Sequence, residues 1–235
     1  PELIDQIKSL RAEAMVVIAF GQKISQSLIG EHFAINLHGS ILPKWRGASP
    51  INAAILHGDT IAGVSVISLA QRMDAGLVYG VATVEIGETE TAGELHDRLA
   101  LLGPDLVSEV LNGERKGVAQ DETIVTVAPK LSRKDAIINL SEDAETLALK
   151  IRGLSPWPGC RITIAGVACK IIRVIANNNS GSVGEILEDG AVGTGNGSLN
   201  ILELQPAGGK PMSWKDFCNG RQVKTGDRCE AIDDA

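Results

Sequence analysis

The residues best suited to chemistry lie in one short run, residues 36–47. Asn36 and His38 are two positions apart at the end of an apolar segment, so on a β-strand their side chains project from one face. In an open α/β sheet, ligands bind at the carboxyl ends of the strands. The turn residues Gly39, Pro43 and Gly47 follow and predict a loop that walls a pocket. The pattern therefore predicts an amide and an imidazole beside a ligand, although loop capping by two satisfied polar side chains would give the same pattern.

The first half of the chain alternates between helix-like and strand-like segments, which is typical of an α/β domain with a mainly parallel sheet. The predicted helices cover residues 2–12, 49–57 and about 91–111, and the predicted strands cover residues 15–20, 34–38, 63–69 and 77–84. Thr91 and Glu94 have the spacing of a capping box at the start of the long helix. Pro104 is expected to bend or restart that helix.

The composition changes after Asn112-Gly113, where a polar stretch containing Pro129 predicts a linker. A further amphipathic helix is predicted at residues 141–152. Short β-branched runs then follow at residues 161–164, 170–175, 184–187 and 199–204. Their spacing indicates a small β-barrel. The predicted organisation is a domain at residues 1–112, a linker at 113–135 and a second domain at 136–235.

Charge and cysteine content narrow the class of protein. A net charge of -7 excludes a protein that coats nucleic acid through bulk positive charge, so any nucleic-acid contact must be local. The cysteines lack zinc-ligand spacing and are expected to be reduced, small apolar residues. They are Cys160, Cys169, Cys218 and Cys229. Neither a secretory signal nor an apolar run of membrane-spanning length is recognised, so a cytoplasmic location is expected.

The run that begins at Asn36 resembles the signature of formyltransferases that use 10-formyltetrahydrofolate. That signature is Asn-x-His-x-Ser-Leu-Leu-Pro, then Arg-Gly, and further along Asp-x-Gly. The matching segments here are 36–43, 46–47 and 74–76, with Ile41 in place of a leucine and a less acidic stretch at 69–73. The resemblance implies a partial Rossmann-like domain without a metal. It places the following residues at the substrate and folate pocket: Ser40, Ile41, Leu42, Pro43, Arg46, Gly47 and Gly76.

Formyl transfer requires attack by a neutral amine on the formyl carbon, and the tetrahedral intermediate carries a negative oxygen and a positive nitrogen. The resemblance implies that Asn36 donates a hydrogen bond to the oxyanion and that His38 assists as a second donor. It also implies that Asp74 accepts the amine proton, directly or through water, and orients His38. Ser40 is expected to shape the loop rather than to act as a nucleophile.

The second half indicates the acceptor. Segments 130–135, 156–159 and 204–213 resemble the family members that act on methionyl-tRNA, which implies an OB-like barrel and methionyl-initiator tRNA as partner. Such barrels hold nucleic acid through local basic residues and stacking aromatics. The candidates for tRNA contact are Lys130, Arg133, Lys134, Lys150, Arg152 and Lys210. Two alternatives stay open: an amino-sugar nucleotide as acceptor, and a tRNA- or folate-binding homologue without activity.

The resemblance begins partway into the family's catalytic domain, so the sequence is expected to lack an N-terminal portion. In the complete family fold, the strand at residues 15–19 lies inside the sheet. Here it is therefore expected at an unpaired sheet edge. Leu3, Ile7 or the valines of that strand should then be unusually exposed.

Overall fold

The computed structural model describes residues 2–21, 24–29 and 32–232, without the side chains of Glu2, Leu3, Lys8 and Gln26. The chain divides into two compact units. The first comprises residues 1–50, 61–85 and 96–129, and the second comprises residues 51–60, 86–95 and 130–235. Residues 113–129, predicted as linker, thus pack within the first unit.

In the first half of the chain, short elements alternate much as the apolar pattern predicts. The helices are α1 (Glu2–Ser9), α2 (Gln26–Ile29), α3 (Pro50–Leu56) and α4 (Ala92–Asn112), with a 3-10 turn at Glu122–Ile124. The strands are β1 (Ala14–Ile18), β2 (Phe33–His38), β3 (Arg46–Gly47), β4 (Ile61–Ser68), β5 (Val78–Glu85) and β6 (Val127–Ala128).

The main sheet of the first unit has the strand order β1-β2-β4-β5. β1 and β2 are parallel, whereas β4 is antiparallel to both β2 and β5. The prediction of a mainly parallel sheet is therefore corrected to a mixed sheet. For β4 and β5 the reason is their connection at residues 69–77, which has no crossover helix, so the chain reverses direction between these two strands.

β1 is the outer strand of this sheet and pairs only with β2 within the described ranges. Val16 and Ile18 on β1 are 39% and 59% exposed. The prediction of an edge strand with an exposed valine is confirmed. Ile7 is partly buried, and the side chain of Leu3 lies outside the described part of the chain.

Helix α4 covers one face of the sheet. A side chain at Gly103 of α4 would overlap Leu37 of β2, and one at Gly80 of β5 would overlap Leu106 of α4. Leu37 therefore points toward the helix. Because side chains alternate along a strand, Asn36 and His38 project from the opposite face.

The start of α4 confirms the predicted capping box. The Thr91 backbone N–H donates to Glu94 Oε2 over 2.9 Å, and the Glu94 N–H donates to Thr91 Oγ1 over 3.4 Å. Pro104 lies inside a single helix of 21 residues, so of the two expected effects, a bend or a restart, the restart does not occur.

The second half of the chain contains α5 and α6 and a mostly antiparallel set of strands. The helices are α5 (Ala144–Gly153) and α6 (Trp214–Arg221), preceded by a 3-10 helix at Arg133–Ala136. The strands are β7 (Arg161–Ile164), β8 (Val167–Asn177), β9 (Val192–Gly193), β10 (Ser198–Pro206), β11 (Met212–Ser213) and β12 (Cys229–Ala231). Their order is β11-β10-β8-β7-β12, and β9 pairs with β10.

Residues 184–187 were predicted as a strand but form only single bridges. Glu185 bridges Arg228, next to β12, and Ile186 bridges Val192 of β9. Through these bridges the pairings continue from β12 to β9 and back to β10. The backbone hydrogen bonds of this unit thereby close into a ring around an apolar core.

The cysteines behave as the sequence predicts. All four are free, and Cys160, Cys169 and Cys229 are buried in the core of the second unit. Burial raises the pKa of the Cys160 thiol to about 12 and that of Cys169 to about 11. These thiols therefore stay protonated and act as small apolar side chains. In the described ranges, no helix is both long enough and apolar enough to cross a membrane.

Candidate active site

The end of β2 presents Asn36 and His38 on the sheet face opposite α4. β2 lies between β1 and β4, so its backbone is held from both sides. His38 is buried and Asn36 is partly exposed. Among the described residues, none forms a hydrogen bond with the Asn36 side chain. The Asn36 amide is therefore available to a ligand.

The His38 ring is oriented by two contacts. Its Nε2 lies 2.9 Å from the Trp45 carbonyl oxygen. A carbonyl oxygen only accepts hydrogen bonds, so Nε2 carries a proton and donates. On the other side of the ring, Nδ1 lies 3.6 Å from Asp74 Oδ2. In the neutral ring, Nε2 carries the proton and Nδ1 can accept one. If Nδ1 were also protonated, the resulting positive charge would lie beside the Asp74 carboxylate.

Asp74 is held at its carboxylate and has an uncommon backbone conformation. Its Oδ2 accepts a 2.8 Å hydrogen bond from the Gly47 backbone N–H, and its side chain is 13% exposed. The Asp74 φ of +52° is in the left-handed region, which aspartate tolerates better than most residues. Gly76 then passes so close to the Ser68 carbonyl that any Cβ would overlap it. The Asp-x-Gly spacing therefore follows from this tight turn.

Serine hydroxyls shape the loop after β2. Ser40 is buried, and its Oγ donates to the Lys44 carbonyl over 2.5 Å. Ser65 of β4 donates to the Ser40 carbonyl over 2.7 Å and accepts from the Leu42 N–H over 3.1 Å. Ser40 is thus engaged in loop structure, as the sequence predicts. Leu42 is buried, and Ile41 and Pro43 are partly buried.

Arg46 was predicted at the substrate pocket, but its guanidinium is bound inside the protein. The side chain is buried, and it donates to Gln120 Oε1 from Nε (3.0 Å) and Nη2 (2.7 Å). It also pairs with Glu122, Nη2 to Oε1 at 2.8 Å. Hydrogen bonds from Arg46, and then from Arg72, hold the pKa of Glu122 down at about 2.

Gln120 and Glu122 are site residues that the sequence analysis missed. They lie in the polar stretch predicted as linker, where no periodicity or motif distinguishes them. β6 follows them and pairs in parallel with β3, opposite Arg46 and Gly47. Only the folded chain brings this segment to the loop. Trp45, the residue before Arg46, is also buried.

The structure brings His38, Asp74 and Gly47 together, with Asn36 two positions before His38 on the same strand and Gly76 in the adjoining turn. Within the described ranges, no group of three or more His, Cys, Asp or Glu side chains is placed to hold a metal ion. The arrangement offers a free amide, an oriented imidazole and a fixed carboxylate. Such groups suit stabilisation of a developing oxyanion together with proton transfer.

The basic residues predicted for tRNA contact fall into two groups. Lys150 donates from Nζ to the Ile137 carbonyl over 2.5 Å, and Arg152 donates from Nη1 to the Glu90 carbonyl over 3.1 Å. Both side chains are partly buried. The other four are exposed: Lys130, Arg133, Lys134 and Lys210. The exposed group is the better placed for phosphate contacts.

Comparison with known proteins assigns the chain to a family. Residues 1–111 match the model for formyl transferase, and residues 130–222 match the model for the formyl transferase C-terminal domain. The chain belongs to the formyl transferase family. As a family member it is a formyltransferase enzyme, and the signature at Asn36, His38 and Asp74 lies in the first matched region.

Individual relatives agree with this assignment. The chain is 37% identical over 238 residues to a methionyl-tRNA formyltransferase from Geobacter metallireducens, covering 97% of this chain and 76% of the relative. Among solved structures, it is similar to HypX from Aquifex aeolicus in complex with tetrahydrofolic acid. That likeness has a TM-score of 0.67 at 18% identity and covers 96% of this chain but only 42% of HypX.

A third likeness is to WlaRD, a sugar 3N-formyl transferase solved in the presence of dTDP and 5-N-formyl-THF. It has a TM-score of 0.64 at 18% identity, and covers 82% of this chain and 72% of WlaRD. At such identity, this likeness and that to HypX establish the formyl transferase fold alone.

Proposed function

We propose that the protein transfers a formyl group from 10-formyltetrahydrofolate to the amino group of methionyl-initiator tRNA. The observation that carries the proposal is the 37% identity to a methionyl-tRNA formyltransferase along 97% of the chain. The similarity therefore includes both halves of the chain. The proposed acceptor rests on the second half of the sequence as well as on the residues of the site.

Asn36 is proposed to bind the oxyanion of the tetrahedral intermediate. Its amide is partly exposed and has no hydrogen bond to another described residue. It therefore need not break an internal hydrogen bond before it donates to the negative oxygen. Loss of one oxyanion donor typically slows a reaction about 100- to 1000-fold.

His38 and Asp74 are proposed to act as a pair. Because Nε2 donates to the Trp45 carbonyl, only Nδ1 is free to exchange a proton with the reacting groups. Asp74, 3.6 Å from Nδ1, would stabilise the ring when Nδ1 is protonated and can donate. Asp74, or a water that it binds, would accept the proton released by the attacking amine. When the tetrahedral intermediate collapses, the bond between the formyl carbon and N10 of the folate breaks, and the same proton is returned to N10 as tetrahydrofolate leaves.

The second half is proposed to be an OB-like, tRNA-binding domain within the predicted range 136–235. Two features support the proposal: the closed ring of backbone pairings, and the exposure of Lys130, Arg133, Lys134 and Lys210. Phosphate contacts by these side chains would give local affinity despite the net negative charge. The first domain is proposed to extend from the predicted 1–112 through residue 129, since residues 113–129 pack in the first unit.

The alternative acceptor is an amino-sugar nucleotide, which the likeness to WlaRD favours. A matched assay separates the two. The purified protein is incubated with 10-formyltetrahydrofolate and either methionyl-initiator tRNA or a dTDP-amino sugar, and the acceptors are weighed by mass spectrometry. We expect a gain of one formyl group on the tRNA substrate only. Formylation of the sugar alone would refute the proposed acceptor, and formylation of neither would favour an inactive homologue.

A further inference from the structure

We propose that Gln120 is a positioning residue that fixes Asp74 for catalysis, with Arg46 as the group that orients it. The inference rests on the proposed function, because it takes Asp74 to be the group that handles the proton. It is carried by the hydrogen bonds of one side-chain amide, which joins three separate segments of the first unit: residues 46–47, 74–76 and 120.

The Gln120 amide holds the backbone on both sides of the Asp74 turn. Its Nε2 donates to the Asp74 carbonyl over 2.8 Å and to the Gly76 carbonyl over 2.8 Å. Asp74 has a positive φ, a conformation that costs energy for a residue with a Cβ. Both protons of the amide are thus used to hold an unfavourable turn in place.

Arg46 determines which way this amide points. Gln120 Oε1 accepts from Arg46 Nε and Nη2 at 3.0 and 2.7 Å. A guanidinium only donates and a carbonyl only accepts, so the reversed amide would lose all four hydrogen bonds. Glu122, paired with Arg46 and Arg72, supplies the negative charge that the buried guanidinium needs.

The same loop also holds the Asp74 carboxylate. The residue after Arg46 is Gly47, whose N–H donates to Asp74 Oδ2 over 2.8 Å. Asp74 is therefore fixed at its carboxylate by a main-chain group and at its carbonyl by Gln120. Removing Gln120 would free the turn and let the carboxylate move relative to His38 and the reacting amine.

The test compares Gln120→Ala and Gln120→Glu with Gln71→Ala. In Gln120→Glu, the carboxylate can still accept hydrogen bonds from Arg46 but cannot donate to the Asp74 and Gly76 carbonyls. This variant keeps the Arg46 guanidinium paired, so it can be used if Gln120→Ala does not fold. Gln71 is an exposed glutamine in the same loop as Asp74 and serves as a control. We expect kcat to fall roughly 10- to 100-fold in both Gln120 variants, since small displacements of catalytic groups have such effects. KM for the formyl donor should change less than about threefold.

Two readouts separate positioning from general damage. When Asp74→Asn is already present, adding Gln120→Ala should lower kcat by a further factor of less than about three, because both changes act through Asp74. Hydrogen exchange of the Gly47 amide should accelerate in the Gln120 variants and stay unchanged in Gln71→Ala.

Unchanged Gly47 exchange, unchanged kcat, or fully multiplicative effects in the double variant would each overturn the inference. The exchange measurement needs no acceptor. If the wild-type protein formylates no acceptor, the proposed function fails, while the exchange data still decide whether Gln120 holds the Asp74 turn.

Discussion

Replacing Asp74 by asparagine separates the charge of this side chain from its shape. In the structure, Asp74 Oδ2 accepts one backbone hydrogen bond from Gly47 at 2.8 Å and faces His38 Nδ1 at 3.6 Å. Both contacts use the same oxygen, so an asparagine oxygen at that position can still accept from Gly47, but it is then an uncharged oxygen that faces His38 Nδ1. What is lost is the group that accepts a proton.

The expected effects of Asp74→Asn on stability and on turnover differ enough in size to be distinguished. A hydrogen bond to a charged group contributes about 1.5–3 kcal/mol and a neutral one about 0.5–1.5 kcal/mol, so asparagine should cost about 1 kcal/mol of stability. Loss of general acid-base catalysis typically slows a reaction by about 100- to 10,000-fold, or roughly 3–5 kcal/mol in the barrier. The effect on turnover should therefore exceed the effect on folding.

Asp74→Ala is the less informative variant. It leaves the Gly47 N–H without its acceptor, at a cost of about 1–3 kcal/mol. It also places alanine at a φ of +52°, for roughly 1–2 kcal/mol more. A sum of about 2–5 kcal/mol is large for a protein whose total stability is of order 5–15 kcal/mol.

The assay measures single-turnover formylation of methionyl-initiator tRNA by mass spectrometry, alongside thermal unfolding. Asp105→Asn makes the same chemical change at an exposed position of α4 and should retain full activity. If Asp74→Asn keeps more than about a tenth of wild-type activity, the role given to this carboxylate is wrong.

Three further outcomes are expected. Arg46 and Arg72 lower the pKa of Glu122 from 4.5 to about 2, so the stability that the Glu122 carboxylate contributes is complete above pH 4.5 and is lost as the pH falls toward 2. Between pH 4.5 and pH 2 the unfolding temperature of Glu122→Gln should therefore fall less than that of the wild type. An equal fall in both proteins would refute the pairing. Replacing Arg133 and Lys134 by alanine should weaken tRNA binding and make the plot of log K against log salt less steep by about one unit per lost contact. The control Lys116→Ala should leave this slope unchanged. A wild-type slope in the double variant would argue against these contacts. DTNB added to the native protein should modify the partly buried Cys218 first, because burial raises the pKa of Cys160 and Cys229 to about 12. Mass spectrometry identifies the modified cysteine, and equal labelling of all four thiols would contradict the buried core.

Local sequence patterns were enough to locate most elements of the first half. Apolar runs predicted β1, β2, β4 and β5 to within a few residues, because a buried strand needs apolar side chains whatever its partners are. The Thr91 and Glu94 capping box was also predictable, since its hydrogen bonds span only three residues. The proximity of Asn36 and His38 followed from the period of a single strand.

Strand direction was not predictable in the same way. The apolar pattern of β4 is the same whether its neighbours run parallel or antiparallel to it. Direction depends on the connections, and the short link at 69–77 lacks the helix that a parallel crossover needs. Residues 184–187 show the converse case, since a strand-like sequence forms only single bridges there.

The sequence by itself therefore determined the family signature, the strand that carries Asn36 and His38, and the Asp-x-Gly turn that follows β4. Only the tertiary structure decided how these parts are held. Arg46 binds Gln120 across 74 positions, and Gln120 binds Asp74 across 46. Such contacts depend on where distant backbone segments meet. Hydrophobic period and local propensity describe only neighbours along the chain, so they carry no information about a buried guanidinium or the glutamine that it orients.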